Sequence, residues 1–290
     1  MLACQIGGRC KCDGVVRILP CIQEFEEQMG KSRQFAFMLP IAAVVAGLSA
    51  PAARAETFSS SYAVSVLGLT VGASQFKATI EGKKIRINGN VRSSGLVRIF
   101  DDTTGSTSVV AHLGKSGIVP VSYDLNYVSG NKKKRTTISF SGGDAVKVSN
   151  SPAVKKHGDY IELSKGDLVS VFDPIAAGMF RASGPDDVCN RTVRVFDGET
   201  RADLKLTPAG TEAISTNGFA GTGVRCNVRF KPVAGYKADT YQIKYLRDNS
   251  RITAVFAPVG STGLWAPVKA EVGTQIGPVR IFATQFASSN

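Results

Sequence analysis

The sequence predicts an all-β protein, and three patterns carry that prediction. Apolar and polar residues alternate with period two through long stretches after residue 56. Glycine-centred turn signals recur about every ten residues between those stretches. The composition, with 30 glycines in 290 residues, 43% hydrophobic and 20% charged residues, is that of a folded chain and not of a disordered or coiled-coil one. Such spacing fits a long antiparallel meander, a sandwich or a barrel.

In chain order, the first turn signal is Gly68, followed by Glu81-Gly82. Lys84 to Arg92 then alternates almost without error, Ile85, Ile87 and Val91 on one face and Arg86, Asn88 and Arg92 on the other, as a half-buried antiparallel strand requires. Ser94 to Phe100 breaks the pattern. Leu96, Ile99 and Phe100 fall on one helical face behind a capping serine, which predicts a first short helix. Val121, Tyr123, Leu125 and Tyr127 share the face of a further strand that ends at Gly130-Asn131 and the basic run Lys132 to Arg135. Gly142-Gly143 marks another turn. A second short helix is predicted over Asp173 to Phe180, with aspartate as cap and Pro174 at the first helical position, stopped by Gly184-Pro185.

The hairpin after Cys189 can be set in register. A two-residue turn at Asp197-Gly198 would place Arg194 opposite Arg201, whereas a loop over Asp197 to Thr200 sets Arg194 opposite Asp203, Val195 opposite Ala202 and Val193 opposite Leu204. Opposite charges across strands stabilise and like charges destabilise, so the longer loop is expected. Val224, Cys226, Val228 and Phe230 alternate with Arg225, Asn227, Arg229 and Lys231 in the next strand. The last turn signals span Gly218 to Gly223.

The N-terminal residues read as processing signals. Lys31 and Arg33 precede an apolar stretch from Phe35 to Leu48, and small residues lead to Ala53-Arg54-Ala55. This is the three-part secretory leader, cleaved after Ala55. The apolar stretch is too short for a membrane span and contains Pro40. Residues 29–55 are therefore read as a signal peptide with Met29 as natural start, residues 1–28 as an over-extended N-terminus, and 56–290 as one periplasmic β-rich domain without a transmembrane segment. Of 6 cysteines, only Cys189 and Cys226 remain after cleavage, and a lone pair in an oxidising compartment predicts one disulfide. The 235 residues from 56 onward hold 29 Lys and Arg against 19 Asp and Glu, a net charge of +10.

Residue types exclude much chemistry. The 2 histidines, His112 and His157, are far apart in sequence, which argues against metal and histidine acid–base catalysis. Ser129-x-x-Lys132 sits at a turn rather than opening a helix, and Gly218-x-x-Gly221-x-Gly223 precedes a strand, so neither has the context its motif needs. No metal site and no cofactor is expected. Arg191, Arg194, Arg201, Arg225, Arg229 and Lys231 line the side expected to face solvent on the cysteine-bearing strands, a surface suited to anionic headgroups or cell-wall polymer. Nucleic acid is not expected as a partner of an exported chain.

Several ordered motifs resemble one family. Tyr62-x-Val64 with Gly68-Leu69-x-Val71-Gly72 is similar to its opening. Cys189-x-Arg191-x-x-x-Val195-Phe196-Asp197-Gly198-x-x-Arg201-x-Asp203-Leu204 is similar to its central block. Cys226-x-Val228-x-x-Lys231-Pro232-Val233-Ala234-Gly235-Tyr236 and Leu264-Trp265-Ala266-Pro267-Val268 are similar to its later blocks. The family is the bacterial envelope group catalogued as domain of unknown function 3108, over about residues 57–285. The resemblance implies a periplasmic protein with no established catalytic role. It also implies a curved antiparallel sheet or half-open barrel, similar to lipoprotein carriers, wrapped around the two short helices. The resulting expectation is a non-catalytic envelope protein binding a lipid, lipoprotein or cell-wall polymer, with a lipidic or acylated ligand held by Leu96, Ile99, Phe100, Met179 and Phe180. Two rivals differ in class: an envelope hydrolase using carboxylates such as Asp101, Asp102 or Asp197, and a structural module that binds a protein through the basic hairpin face.

Overall fold

The computed structural model describes residues 55–94, 102–114 and 117–289. Residues 1–54, which hold all of the expected leader except Ala55, lie outside them, as does the expected helix over 94–100 apart from Ser94. The elements in order are β1 (Glu56–Val66), β2 (Leu69–Glu81), β3 (Lys84–Ser93), β4 (Thr103–Leu113), β5 (Ile118–Ser129), β6 (Lys132–Ser141), β7 (Asp144–Ser151), β8 (Tyr160–Ile161), β9 (Phe180–Arg181), β10 (Arg191–Phe196), β11 (Arg201–Thr216), β12 (Phe219–Ala234), β13 (Tyr236–Lys237), α1 (Tyr241–Asp248), β14 (Ile252–Val259), β15 (Leu264–Thr274) and β16 (Gly277–Ser289). One continuous antiparallel sheet runs β10-β11-β12-β14-β15-β16-β1-β2-β3-β4-β5-β6-β7, with β9 added to β15 and a separate ribbon of β8 and β13.

Alternation decides which face each strand buries. On β3, Ile85, Ile87 and Val91 are buried while Arg86, Asn88 and Arg92 are exposed. On β5 a bulge leaves Val121 without a partner, since Ser122 pairs with Val110 and Pro120 with Ala111. The buried set consequently shifts from Tyr123 downstream to Ile118 and Pro120 upstream, so Val121 does not extend the Tyr123 face as the sequence pattern implied. The turns at Gly68, Gly82, Gly130 and Gly142-Gly143 fall where expected. Gly221 and Gly223, by contrast, lie inside β12, where the close packing of Val255 and Ile214 leaves no room for a side chain at Gly223.

The sheet curls until its end strands are laced together by an intervening segment. The Val171 amide donates to the Gly143 carbonyl, the Phe172 amide to Arg194, and the Phe196 amide back to Phe172. Beside this, the Asn150 side-chain amide donates to the Gly198 carbonyl at 2.7 Å, and Lys134 pairs with Glu199 at 3.0 Å. The result is a half-open barrel, closed at this seam by a few long-range bonds and not by a full ladder. Val171, Ala176 and Met179 project into the barrel and join Ile85, Val109, Ile138, Val255 and Leu264 in its main core. A second cluster forms around Val188, Cys189, Leu206, Cys226, Phe256 and Trp265.

One helix expectation needs correction. Between Asp173 and Phe180 the chain makes only a single 3₁₀ turn, Ala176–Gly178, because β9 begins at Phe180 and leaves no residues for a second turn. Among the described residues the α-helix is α1, whose one buried side chain, Ile243, carries only a weak periodic signal.

Asp173 nevertheless acts as the expected cap. It is fully buried, one carboxyl oxygen accepts the amides of Ile175 and Ala176 at 3.0 and 2.9 Å, and the other has no partner. Burial pushes its pKa up to about 6. The folded protein thus holds this proton more tightly than the unfolded chain does. From Asp173, stability should fall as pH rises from about 4 to about 6, by on the order of 2–3 kcal/mol, and stay level above that. Asp173→Asn retains an acceptor oxygen and should remove that slope. Urea midpoints of both proteins across this range check it, and equal slopes would place the titration elsewhere.

Candidate functional site

The six cations expected to form one outward face are divided by the structure. Arg191 lies over the Phe180 ring, 4.0 Å from its centroid, and donates to the carbonyls of Val188, Asp187 and Arg181, which fastens the start of β10 to β9. Arg225 pairs with Glu212 across the β11–β12 ladder, and Glu212 also accepts Lys269 at 2.9 Å. Arg229 is exposed. The remaining three, Arg194, Arg201 and Lys231, converge on one pocket.

That pocket lies on the face of β10, β11 and β12 that also carries Phe196 of the main core. Register places Arg194 opposite Asp203, and Asp203 opposite Lys231, in one row across three strands. The 3₁₀ turn Lys165–Leu168 packs over this face, held because Arg194 donates to the Gly166 carbonyl at 3.0 Å and Arg201 Nε to the Asp167 carbonyl at 2.9 Å. Arg201 is only 2% exposed as a result. Strand alternation pointed it to solvent, but the turn then covered it, so the expectation of an exposed Arg201 is corrected. Its Nη2 pairs with Asp203 at 2.7 Å. The pocket of about 440 Å³ is lined by Asp167, Thr192, Arg194, Arg201, Asp203 and Lys231, with Pro232 and Val233 at its wall.

A second feature comes from the rim. Alternate turns of an antiparallel meander fall on the same edge, so the β1–β2, β5–β6 and β15–β16 turns share one rim with the β10–β11 turn. At such turns polar residues and glycine are the norm, yet Leu67 and Leu69 flank Gly68, and Ile276 precedes Gly277. These three are 68%, 66% and 69% exposed. The two tips touch: a Cβ on Gly277 would stand 2.6 Å from Leu67 Cδ2. Lys132 and Lys133, both exposed, occupy the β5–β6 tip farther round the rim.

Residues 58–284 match a family described as protein of unknown function, DUF3108. The chain belongs to that family. No curated protein sequence matches it closely enough to count as a relative. A crystal structure of a beta-barrel-like protein of domain of unknown function DUF1849 from Brucella abortus is similar over 81% of this chain and 98% of its own, with a TM-score of 0.46 and 8% identity.

Within this DUF3108 chain, the five residues expected to hold an apolar ligand are not shown together. Leu96, Ile99 and Phe100 lie outside the described residues. Met179 belongs to the barrel core and Phe180 to the second cluster, where its ring lies 4.9 Å from that of Phe256. Cys189 and Cys226 form a disulfide. Of the carboxylates considered for hydrolysis, Asp101 lies outside the described residues. Asp197 accepts the amides of Glu199 and Thr200 at 2.8 and 2.6 Å and so shapes its own turn. The residue keeps solvent access, while protein crowding its carboxyl raises its pKa. Among the described residues no group of three or more His, Cys, Asp and Glu is placed to hold a metal ion, and no helix is long and apolar enough to cross a membrane.

Asp167 and the apolar rim residues Leu67 and Ile276 escaped the sequence reading. Ser164-x-x-Asp167 carried a usable signal, because it is a capping box: the Asp167 carboxylate accepts the Ser164 amide and hydroxyl at 2.8 and 2.6 Å. Leu67-Gly68-Leu69 and Ile276-Gly277 carried another, as apolar residues placed at turns.

Proposed function

We propose that this chain is an exported, non-catalytic periplasmic envelope protein that docks on lipid through the rim of its barrel. The observation that carries the reading is the touching pair of hairpin tips, with Leu67, Leu69 and Ile276 each about two-thirds exposed. Lys132 and Lys133 lie on the same rim, roughly 20 Å away for four strand spacings. Apolar tips enter the headgroup region, and nearby lysines are attracted to anionic lipid by about 1 kcal/mol each. The +10 charge of residues 56–290 favours the same surface. Export is supported by the leader-like residues 29–55, by β1 beginning directly after the expected cleavage point, and by a disulfide, which persists in oxidising compartments.

Vesicles of phosphatidylcholine with about one-fifth phosphatidylglycerol test the proposal. The protein is expected to co-sediment with them at low salt. Leu67→Asp with Ile276→Asp should weaken that binding by about a hundredfold, since each buried side chain contributes roughly 1.5–3 kcal/mol. Failure to bind, or equal binding by the double variant, overturns the docking reading.

A further inference from the structure

The pocket under the Lys165–Leu168 turn stands apart from the apolar tips at Leu67 and Ile276, and its unmet donors identify a ligand. A guanidinium does not lose its charge, so burying one is costly unless each of its donors finds a partner. Arg201 is buried with Nε and Nη2 satisfied, but its Nη1, also buried, has no protein partner. Arg194, beside it, spends Nη2 on the Gly166 carbonyl and leaves Nε buried and unpartnered. Lys231 adds a third cation from the next strand. Of the two carboxylates present, Asp167 is occupied by Ser164 and Asp203 by Arg201. The lining therefore carries three cations against two engaged anions.

We infer that this pocket binds a phosphoryl group, of the monoester or diester class. Its oxygens accept from the guanidinium groups of Arg194 and Arg201, and Lys231 neutralises remaining charge from the next strand. A tetrahedral oxyanion presents oxygens in several directions and meets donors arriving from three strands at once, whereas a planar carboxylate is matched by one guanidinium fork. The volume of about 440 Å³ leaves room for an organic substituent beyond the phosphorus. Such a group comes either from a free phosphate ester or from a phospholipid headgroup.

Calorimetric titration of the full chain with inorganic phosphate and with glycerol 3-phosphate, beside phosphatidylglycerol vesicle sedimentation, tests the site. Wild type, Arg194→Gln and Lys231→Gln are compared. Both substituted side chains keep solvent access, so each variant is expected to fold, with a thermal midpoint within a few degrees of wild type. Saturable binding of glycerol 3-phosphate, weakened about tenfold or more by Arg194→Gln and by Lys231→Gln, supports a site for free esters. Binding to vesicles alone, reduced by the same substitutions, supports the headgroup source. Binding of none of the three probes, or binding that Arg194→Gln and Lys231→Gln leave unchanged, overturns the inference. Leu67→Asp with Ile276→Asp should leave glycerol 3-phosphate binding intact, so failure of rim docking and failure of this site are read separately.

Discussion

Replacing Cys189 and Cys226 together by alanine is expected to lower stability by about 4 kcal/mol. The bridge closes a loop with a sequence separation of 37, and the chain-entropy treatment of such a loop yields that magnitude. Its place in the fold adds a local consequence. β10 is the terminal strand of the sheet and has only β11 as a ladder neighbour, while the bridge ties the residues just before it to β12, the next strand but one. Both cysteines are buried in the second core cluster with Val188 and Leu206. Without the bridge, β10 should fray from its start at Arg191, and amide exchange there should accelerate more than in β3 or β4. The thermal midpoint should fall by about 10 °C at two to four degrees per kcal/mol. Unchanged exchange across β10 would show that Arg191 and the Phe172 bridge hold the strand unaided.

The strands were legible because each buries one face, and a half-buried strand writes its geometry into the chain as alternation. Ile85, Ile87 and Val91 are examples. The β10–β11 register was legible for a different reason: only one loop length placed Arg194 opposite Asp203, and that pairing is the one observed. The pocket was half legible. Alternation grouped Arg194, Arg201 and Lys231, but nothing local shows that a turn 34 residues upstream lands on Arg201 and buries it. A strand pattern separates two faces and does not say which of them another segment will cover. The meeting of the two rim tips was illegible for a topological reason. Leu67 and Ile276 are remote in sequence and meet only because β16 returns to pair with β1, placing Val66 opposite Val279.

Gly235→Ala is expected to cost on the order of 4 kcal/mol, more than a typical surface substitution by a wide margin. Gly235 is buried at φ +81°, and a Cβ there would stand 1.8 Å from the Glu199 carbonyl oxygen and 3.0 Å from Thr200 Cα. The left-handed conformation alone accounts for about 1–2 kcal/mol, and the rest comes from the clash with backbone that has nowhere to go. The loop it strikes is fixed from within, since Asp197 accepts the amides of Glu199 and Thr200, and Gly235 is itself held by donating its amide to the Ile161 carbonyl at 2.7 Å. If the loop yields instead, it carries away Gly198 and Glu199, the partners of Asn150 and Lys134 at the barrel seam. Thus the substitution should either unfold the protein or open the seam, and urea unfolding followed by amide exchange on β7 distinguishes them. Gly130→Ala supplies the control, because its φ is +53° with nothing within 4 Å, so only the conformational cost of about 1–2 kcal/mol is expected. Equal losses in the two variants would mean that the close approach of Gly235 to Glu199 does not hold the barrel shut. A larger loss at Gly235, with β7 exchange accelerated, would locate the closure of the half-open barrel at a single loop that also begins the strand bearing Arg201.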